Sequence, residues 1–348
     1  MKNQVKVALA MSGGVDSSVA AHLLLQEGYD VIGVTFKLWP ENDFIIENAK
    51  EVADKLNIPL HVFDFQKEFN DNVVESFKNE YLQGRTPNPC IECNKNIKFN
   101  LFLQQASKLG ADIIATGHYA RIEWDESFQK YLLKTGLDPS KDQSYFLYNL
   151  TQEELSKTIF PLGNYTKNKI KEIATQIGLS VAQKPESQEI CFIPDNDYRE
   201  FLYNHVDNKL FKKGNFLDTK GKVIGTHQGI SFYTIGQRKN LGLSLGYPAY
   251  VVDIDVEKNA VVIGDNEDVF KSKLVCNEYN LIHLNELTES MEVEAKIRYG
   301  AKLSKATISP HNHGAISVKF REEQRAITKG QAVVFYNSDV VLGGGKII

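Results

Sequence analysis

A polar segment near the start of the chain has the residue types and spacing to bind phosphate. The segment is Ser12-Gly13-Gly14-Val15-Asp16-Ser17-Ser18, between a run of β-forming residues and a run with helical apolar spacing. A helix N-terminus supplies N–H groups without intrahelical partners, the serines add hydroxyls, and the glycines allow close backbone approach to a ligand. The lysine of a Walker loop is absent, which argues against a GTPase or kinase. The pattern favours a nucleotide-binding loop over an ordinary strand-to-helix turn capped by serine.

Three cysteines lie in polar, proline-bounded segments and could do sulfur chemistry. Cys90 and Cys93 follow two prolines at a predicted helix start, where the helix dipole and two nearby lysines should favour their thiolates. Cys191 lies between two further prolines, in a segment whose lack of periodicity predicts an irregular loop. Four cysteines in a predicted cytoplasmic chain indicate metal binding or catalysis rather than a disulfide framework. The fourth, Cys276, lies in a predicted strand and is expected to be structural.

A parallel sheet is expected to position the phosphate loop. Predicted strands alternate with helices through the first half of the chain, which implies parallel pairing with right-handed crossovers. Ligands of such sheets bind beyond the carboxyl ends of the strands, so the phosphate loop, Phe36 and Gly117 should converge. The predicted strands are 5–10, 30–36, 59–65 and 112–116, and the predicted helices between them are 45–56 and 69–82.

The second half of the chain has a different pattern, with short β-forming segments separated by glycine turns. This pattern is typical of antiparallel strands. We therefore predict three domains, an α/β domain at 1–208, a small β-rich domain at 209–270 and a β-barrel-like domain at 271–348. The core strands of the barrel are expected at 293–297, 305–309, 315–320 and 332–336. No solenoid repeat or low-complexity segment is evident.

Composition and charge narrow the class of protein. The 348 residues are 42% hydrophobic and 24% charged, and no apolar run is long enough to span a membrane. The first strand begins too early for a signal peptide, so a cytoplasmic protein is expected. The net charge of −4 is unevenly distributed. Residues 41–80 include ten acidic and four basic residues. Residues 199–239 include eight basic and three acidic residues, and residues 295–330 include eight basic and two acidic residues. The basic second half fits a polyanionic partner or simply a solvated basic face.

Several motifs together resemble those of the tRNA-specific 2-thiouridylases, members of the ATP pyrophosphatase (PP-loop) superfamily. The resemblance begins with the phosphate loop and covers essentially the whole chain in order. It implies an N-terminal PP-loop domain of the adenine nucleotide α-hydrolase-like type ahead of the β-rich domains. The further motifs that carry it are 86–89 with 93–94, 115–120, 141–147, 187–192, 214–216, 225–229, 233–238, 296–299 and 330–336.

The resemblance implies a two-step reaction on tRNA. ATP would adenylate the C2 oxygen of wobble uridine 34 in glutamate, glutamine and lysine tRNAs, with release of pyrophosphate and Mg²⁺ sharing the phosphate charge. The base would have to leave the anticodon stack to reach the site. Sulfur would then displace AMP. In the persulfide route Cys191 carries the sulfur, supplied by a cysteine desulfurase or sulfur-relay protein, and Cys93 resolves the intermediate by forming a disulfide with Cys191.

The same resemblance assigns binding residues. His118 also has a purely structural alternative, as a hydrogen-bonded residue past a strand end, but we favour contact with a substrate phosphate or base. No metal ligand is assigned with certainty. The residues expected to bind ATP are Ala10, Met11, Ser12, Gly13, Gly14, Val15, Asp16, Ser17, Ser18, Phe36 and Gly117. The residues expected to bind tRNA are Asn88, Pro89, Cys90, His118, Lys141, Asp142, Gln143, Arg298, Tyr299 and Gln331.

One position departs from the family pattern and keeps a second mechanism open. Familiar members of the family have aspartate where this chain has Cys90. Because cysteine is an iron ligand, Cys90, Cys93 and Cys191 could instead hold a [4Fe-4S] cluster in which one iron has an open coordination position. Under the persulfide route Cys90 is a helper and Cys90→Ser keeps appreciable activity in air, whereas under the cluster route that substitution is as damaging as loss of either other cysteine. Two alternative functions are possible for this pattern. One is a different adenylating enzyme of the superfamily, and the other is an RNA-binding protein that uses nucleotide as a conformational switch.

Overall fold

A computed structural model describes residues 4–40, 43–179, 190–193, 197–284 and 286–348. Most of the segment predicted as an irregular loop around Cys191 lies outside these described residues. Within them, no helix is both long and apolar enough to cross a membrane.

The first domain is built on a parallel sheet, as predicted. Its strand order is β3-β2-β1-β4-β7, and all four pairings are parallel. Val7, Ala8 and Leu9 are completely buried, because helices cover both faces of a parallel sheet and its central strands therefore need to be apolar throughout. Four of the strands were predicted, and the short β7 was not. The strands are β1 (Lys6–Ala10), β2 (Asp30–Lys37), β3 (Leu60–Asp64), β4 (Ile113–Ala115) and β7 (Thr158–Ile159).

Helices follow the strands, and two of the helical segments contain π-helical turns. The predicted helix at 69–82 forms part of a continuous helical segment that contains a π-helical turn at Asn70–Val74. A second π-helical stretch, Asn94–Leu101, continues the helix that begins at Pro89. The α-helices are α1 (Val15–Gln26), α2 (Asp43–Leu56), α3 (Gln66–Phe69), α4 (Glu75–Leu82), α5 (Pro89–Cys93), α6 (Phe102–Lys108), α7 (Gln152–Ser156), α8 (Lys167–Gln176) and α9 (Tyr198–His205). Short 3₁₀ helices span Ser144–Leu147, Asn208–Leu210, Ile230–Phe232, Glu267–Val269 and Asn312–Gly314.

A hairpin from the first half of the chain joins the barrel of the second half. Strands β5 (Ala120–Asp125) and β6 (Lys130–Thr135) pair with each other, and β6 pairs with the last strand through Lys134 and Val340. Arg121 and Lys134 both contact the Asp339 carboxylate, at 2.8 and 3.1 Å. The hairpin therefore attaches the first domain to the barrel, which sequence periodicity did not predict because the pairing partner lies about two hundred residues away.

The central domain is a four-stranded sheet with order β10-β11-β8-β9. One apolar cluster is shared between this sheet and helices α3 and α4 of the first domain, and it includes Phe77, Phe192, Phe216 and Tyr233. This shared core ties the central domain to the region that carries Cys191. The strands are β8 (Gly214–Asp218), β9 (Val223–His227), β10 (Tyr250–Asp255) and β11 (Ala260–Gly264).

The C-terminal domain is a six-stranded antiparallel barrel, as predicted. Its order is β12-β15-β14-β13-β16-β17, and a pairing of β12 with β17 closes it. Three consecutive glycines, 343–345, lie within β17. A Cβ at Gly343 would lie 2.1 Å from the Asn280 carbonyl oxygen on β12, so the pairing that closes the barrel requires glycine at this position. Cys276 is fully buried in this barrel, which fits its predicted structural role. The strands are β12 (Phe270–Leu281), β13 (Met291–Lys296), β14 (Ser304–His311), β15 (Ala315–Arg325), β16 (Ala332–Asn337) and β17 (Val340–Ile347).

Candidate active site

The phosphate loop connects the end of β1 to α1 and is held by its own serines. Gly14 is the N-terminal capping position of α1. The Ser17 hydroxyl accepts from the Ser12 amide at 3.2 Å and donates to the Gly14 carbonyl at 3.2 Å, and the Ser18 hydroxyl donates to the same carbonyl at 2.8 Å. These bonds hold the loop in one conformation before any ligand is bound. Its backbone is therefore preorganised for an anion at the helix N-terminus.

The two glycines of the loop have different reasons to be glycine. Gly13 has φ of +67°, and a Cβ there would lie 2.4 Å from Asn48 Cβ and 2.5 Å from the Ala49 amide nitrogen in α2. Gly14 has φ of −81°, and a Cβ there would meet only the Ser12 hydroxyl, at 3.4 Å. Gly13 was expected to let the backbone approach a ligand closely. In the structure the backbone at Gly13 instead lies close to helix α2.

This difference predicts opposite outcomes for two alanine substitutions. Gly13→Ala should lower the free energy of unfolding by about 2–4 kcal/mol, because it combines a left-handed backbone with a clash against α2. Gly14→Ala is the matched control and should change stability by less than about 1 kcal/mol, since its backbone is ordinary and its Cβ meets only one flexible side chain. Urea unfolding of both variants measures the difference. Equal stability of the two would contradict the packing role of Gly13.

The carboxylate of Asp16 is held by two residues from distant parts of the fold. Lys167 Nζ donates to both carboxylate oxygens, at 2.8 and 2.9 Å, and the Tyr119 hydroxyl donates to one of them at 2.7 Å. Lys167 is 5% exposed, so its charge is desolvated and needs this partner. The arrangement fixes Asp16 at the edge of the loop, where a carboxylate oxygen is suited to sharing Mg²⁺ with phosphate.

Sequence reasoning missed both partners of Asp16. Tyr119 lies within a recognised motif but was given no role. Lys167 is the first residue of α8, after the capping Thr166, where a cation is disfavoured by the helix dipole. That unfavourable placement was the available signal, because a lysine at a helix N-terminus suggests that another group requires its charge.

A cavity of about 410 Å³ beyond the carboxyl ends of the strands brings the predicted groups together. Its volume suits a nucleotide-sized ligand. Of the predicted residues, it is lined by Ala10, Met11, Ser12, Asp16, Ser17, Phe36, Pro89, Cys90, Cys93, Gly117, His118, Gln143 and Cys191. Residues that sequence reasoning did not select also line it, namely Thr35, Leu38, Ile45, Phe69, Val73, Lys98, Thr116, Ile190 and Phe192.

The three cysteines reach this cavity from two directions. Cys90 and Cys93 lie on α5, with Cys90 exposed and Cys93 7% exposed. Cys191 is exposed, but the next residue, Phe192, is 2% exposed and packs edge-on against Phe77 at 5.3 Å between ring centroids. Phe192 therefore anchors the Cys191 backbone in the shared core and leaves the thiol facing the cavity.

The thiols are not activated as the sequence suggested. Although Cys90 and Cys191 expose part of their surface, the protein around each sulfur atom desolvates all three thiols, which raises the pKa of Cys93 to about 12, that of Cys191 to about 11, and also that of Cys90. The positive charge of Lys98 lowers all three pKa values, but by less than burial raises them. The expected help from a neighbouring lysine is therefore present at Lys98, but burial outweighs it. At neutral pH these cysteines are protonated.

His118 is buried at the cavity wall. Its Nδ1 shares a 2.7 Å hydrogen bond with the Thr116 hydroxyl, and its ring packs against Phe99 and Phe160, which also contact each other. Burial holds the pKa of His118 well below its usual value, so the ring is neutral at physiological pH. Contact with substrate stays a prediction, and such a contact would be a hydrogen bond from a neutral ring rather than a charge interaction with phosphate.

Two other residues expected to bind tRNA, Asp142 and Gln331, hold nearby loops by hydrogen bonds. Asp142 is 5% exposed, and its carboxylate accepts from the Gly136 and Ser144 amides at 3.0 and 3.1 Å, which gives it a loop-holding role. Gln331 donates to the Thr86 and Pro87 carbonyls at 2.9 and 3.2 Å and thereby positions the turn ahead of the cysteines. Contact of either residue with tRNA stays a prediction.

The remaining tRNA-binding candidates are more accessible. Gln143 accepts from the Tyr119 amide at 3.0 Å. Arg298 is exposed, and Tyr299, 40% exposed, lies over Phe146 with 4.5 Å between ring centroids. An exposed aromatic ring beside an arginine is a suitable surface for stacking a base. Asn88 and Lys141 are partly buried.

The described residues do not form a metal site with three or more ligands. No group of three histidine, cysteine, aspartate or glutamate side chains in the described part of the chain is close enough to hold a metal ion. Cys90, Cys93 and Cys191 are all described, so their arrangement does not fit a three-cysteine cluster. The single carboxylate of Asp16 fits Mg²⁺ that is held mainly by phosphate and water.

Family comparisons match the chain in three consecutive blocks. Residues 5–195 match a tRNA methyl transferase HUP domain, residues 199–265 a tRNA methyl transferase PRC-barrel domain, and residues 271–347 an aminomethyltransferase β-barrel domain. These matches follow the three structural domains in order.

Curated relatives are similar over nearly the whole chain. The tRNA-specific 2-thiouridylase MnmA of Clostridioides difficile is 51% identical, with 98% of both chains covered. The protein of the same name in Heliobacterium modesticaldum is 54% identical, with 98% of this chain and 92% of the relative covered. A solved 4-thiouridine synthetase–RNA complex with bound ATP overlaps 57% of this chain and 50% of its own at 21% identity, with a TM-score of 0.37, which is too low to bear on function.

Proposed function

This chain belongs to the tRNA-specific 2-thiouridylase family, and we propose that it adenylates the C2 oxygen of uridine 34 in tRNA and then replaces that oxygen with sulfur. The observation that carries the proposal is that one cavity is lined by the phosphate loop, Cys93 and Cys191. Adenylation modifies the oxygen on C2 and sulfur then attacks C2 itself, so both steps occur at the same position of the base. A site that places the nucleotide loop and the thiols around one space meets that requirement.

The phosphate loop performs the first step. The amides at the start of α1 are placed to bind the phosphates, and Asp16, held by Lys167 and Tyr119, would hold Mg²⁺ beside them. When bound, Mg²⁺ neutralises part of the phosphate charge. The C2 oxygen attacks the α-phosphorus, pyrophosphate leaves, and the base carries AMP as a good leaving group.

The cysteines perform the second step. The terminal sulfur of a Cys191 persulfide attacks C2 and AMP departs, so that the base is joined to Cys191 through a disulfide. Cys93 then attacks the Cys191 sulfur and forms a disulfide with it, and 2-thiouridine is released. With pKa values of about 12 for Cys93 and about 11 for Cys191, each thiol must lose its proton before it can attack.

Three further assignments belong to this proposal and rest on the resemblance to the family. The sulfur comes from a cysteine desulfurase or relay protein, the tRNAs are those for glutamate, glutamine and lysine, and the enzyme works in the cytoplasm with its substrate. The cluster route is the weaker alternative because the cysteines do not fit a shared metal site. Another adenylating enzyme of the superfamily would leave Cys93 and Cys191 without a role.

A single-turnover assay tests the function. Full-length protein carrying a persulfide on Cys191 is mixed with ATP, Mg²⁺ and bulk tRNA, and AMP, pyrophosphate and 2-thiouridine are measured. We expect all three products in equal amounts and only when tRNA is present. ADP as the product would indicate a nucleotide switch, and AMP without thiolated tRNA would indicate a different adenylating enzyme.

Basic residues of the second half are expected to bind the tRNA backbone. Lys212, Lys213 and Arg298 are exposed. Replacing the two lysines by alanine, or Arg298 alone, should weaken tRNA binding and flatten its salt dependence by roughly one unit of slope for each ion pair with phosphate that is removed. Filter binding across a salt series measures both effects.

The matched control for charge is Lys67→Ala, which removes an exposed lysine from the acidic segment of the first domain. That variant should keep both the affinity and the salt slope. If all of these variants bound tRNA alike, the β-rich half would not be the binding surface.

A further inference from the structure

The proposed function leaves a chemical problem after every turnover. Resolution by Cys93 produces a Cys93–Cys191 disulfide, and Cys191 can accept no new sulfur until that bond is broken. The following inference rests on the proposed function and concerns how the bond is broken. The chain offers a third thiol, Cys90, in the same cavity.

Cys90 and Cys93 are positioned to form a disulfide with each other. Both lie on α5, three positions apart, so their side chains share one face of the helix. A helix with a rise of about 1.5 Å per residue and a Cα radius of about 2.3 Å places such Cα atoms about 5 Å apart. Disulfides span Cα separations of about 4.4–6.8 Å, so the pair can close with local adjustment of the first helical turn.

The third thiol shares a cavity with both members of the spent disulfide. Cys90, Cys93 and Cys191 all line that cavity, and Cys90 lies about one helical turn from Cys93 on α5. Cys90 is exposed, whereas Cys93 is buried. An external reductant can therefore reach Cys90 more readily than Cys93.

We propose that Cys90 regenerates Cys191 by thiol–disulfide exchange with Cys93. The Cys90 thiolate attacks the Cys93 sulfur, the Cys90–Cys93 bond forms, the Cys93–Cys191 bond breaks, and Cys191 leaves as a thiolate that takes up the proton lost by Cys90. No net oxidation or reduction occurs in this step. A soluble dithiol then supplies two electrons and two protons to the Cys90–Cys93 disulfide. Cys191 can thus be reloaded with sulfur before the external reductant has acted.

Under this proposal the thiol at position 90 has a specific chemical role. A thiol held in the cavity competes with dissolved reductant at an effective concentration of roughly millimolar or more. Serine in its place has a similar size and polarity but cannot take part in exchange. Cys90→Ser is therefore the informative substitution.

Disulfide mapping after one turnover tests the exchange. Full-length protein loaded with persulfide and freed of reductant is mixed with ATP, Mg²⁺ and tRNA, quenched in acid, alkylated, and digested with trypsin without reduction. Cys90 and Cys93 lie between Arg85 and Lys95 and share one tryptic peptide. We expect that peptide to contain an internal disulfide and Cys191 to be alkylated. In Cys90→Ser the peptide should instead be cross-linked to the Cys191 peptide.

Kinetics provide a second measurement. Dividing the rate of later turnovers by the rate of the first turnover corrects for any direct effect of the substitution on adenylation or sulfur transfer. With a limiting small dithiol, the ratio of the later turnover rate to the first should fall about tenfold in Cys90→Ser relative to wild type. A wild-type protein that thiolates tRNA and keeps the Cys93–Cys191 cross-link, or forms a Cys90–Cys191 cross-link, would overturn the exchange alone. Failure of wild type to thiolate tRNA at all would overturn the proposed function.

Discussion

Asp16→Ala is expected to reduce AMP and pyrophosphate formation by about a thousandfold or more while the protein stays folded. The carboxylate is the anionic group of the phosphate loop that lines the cavity, and its position is set by Lys167 at 2.8 Å and Tyr119 at 2.7 Å. Without it, the loop has no carboxylate to hold Mg²⁺ as the proposed reaction requires. Pyrophosphate release in the presence of tRNA measures the step. Ser12→Ala should weaken the same step less, because the Ser12 hydroxyl is neutral.

Loss of Asp16 also affects stability, and this effect can be separated from the chemistry. The substitution leaves the buried Lys167 without its carboxylate, at a cost of about 1–3 kcal/mol, since Asp16 itself is partly exposed. Asp16→Ala combined with Lys167→Met should recover most of that loss but no AMP formation. Pyrophosphate release at the wild-type rate in either variant would show that the loop assignment is wrong.

Cys191→Ser and Cys93→Ser are each expected to abolish 2-thiouridine formation and leave adenylation intact. A hydroxyl cannot carry a persulfide at position 191, and at position 93 it cannot attack a disulfide to release the product. Both thiols line the same cavity as Ser12, Asp16 and Ser17 of the phosphate loop, but the groups that we propose to bind ATP belong to the loop. The measurements are AMP formation and thiolated tRNA on the same samples.

The two cysteine variants should differ in the intermediate that they accumulate. Cys93→Ser should trap tRNA joined to Cys191 through a disulfide, whereas Cys191→Ser should trap only adenylated tRNA. Cys276→Ala is the control, because that thiol is buried in the barrel and does not line the cavity. It should leave both products unchanged. Continued thiolation by Cys191→Ser would exclude Cys191 as the sulfur carrier.

The sequence by itself determined the sheet and the loop. Predicted strands at 5–10, 30–36, 59–65 and 112–116 alternate with helical segments, which implies parallel pairing, and the structure confirms a parallel sheet there. Because ligands gather at the carboxyl ends of such strands, the convergence of the loop, Phe36 and Gly117 followed from local patterns alone. The order of motifs likewise predicted the family.

Only the tertiary structure decided the environment of those groups. Asp16 and Lys167 are 151 positions apart, and the hairpin at Arg121 meets Asp339 after 218 positions, so no local periodicity connects them. Gly13 is required by α2, which no turn pattern could indicate. The thiol pKa values depend on how much protein surrounds each sulfur atom. Local sequence sets the charges near Cys93, but packing from the whole domain sets its desolvation, and for these cysteines desolvation is the larger effect.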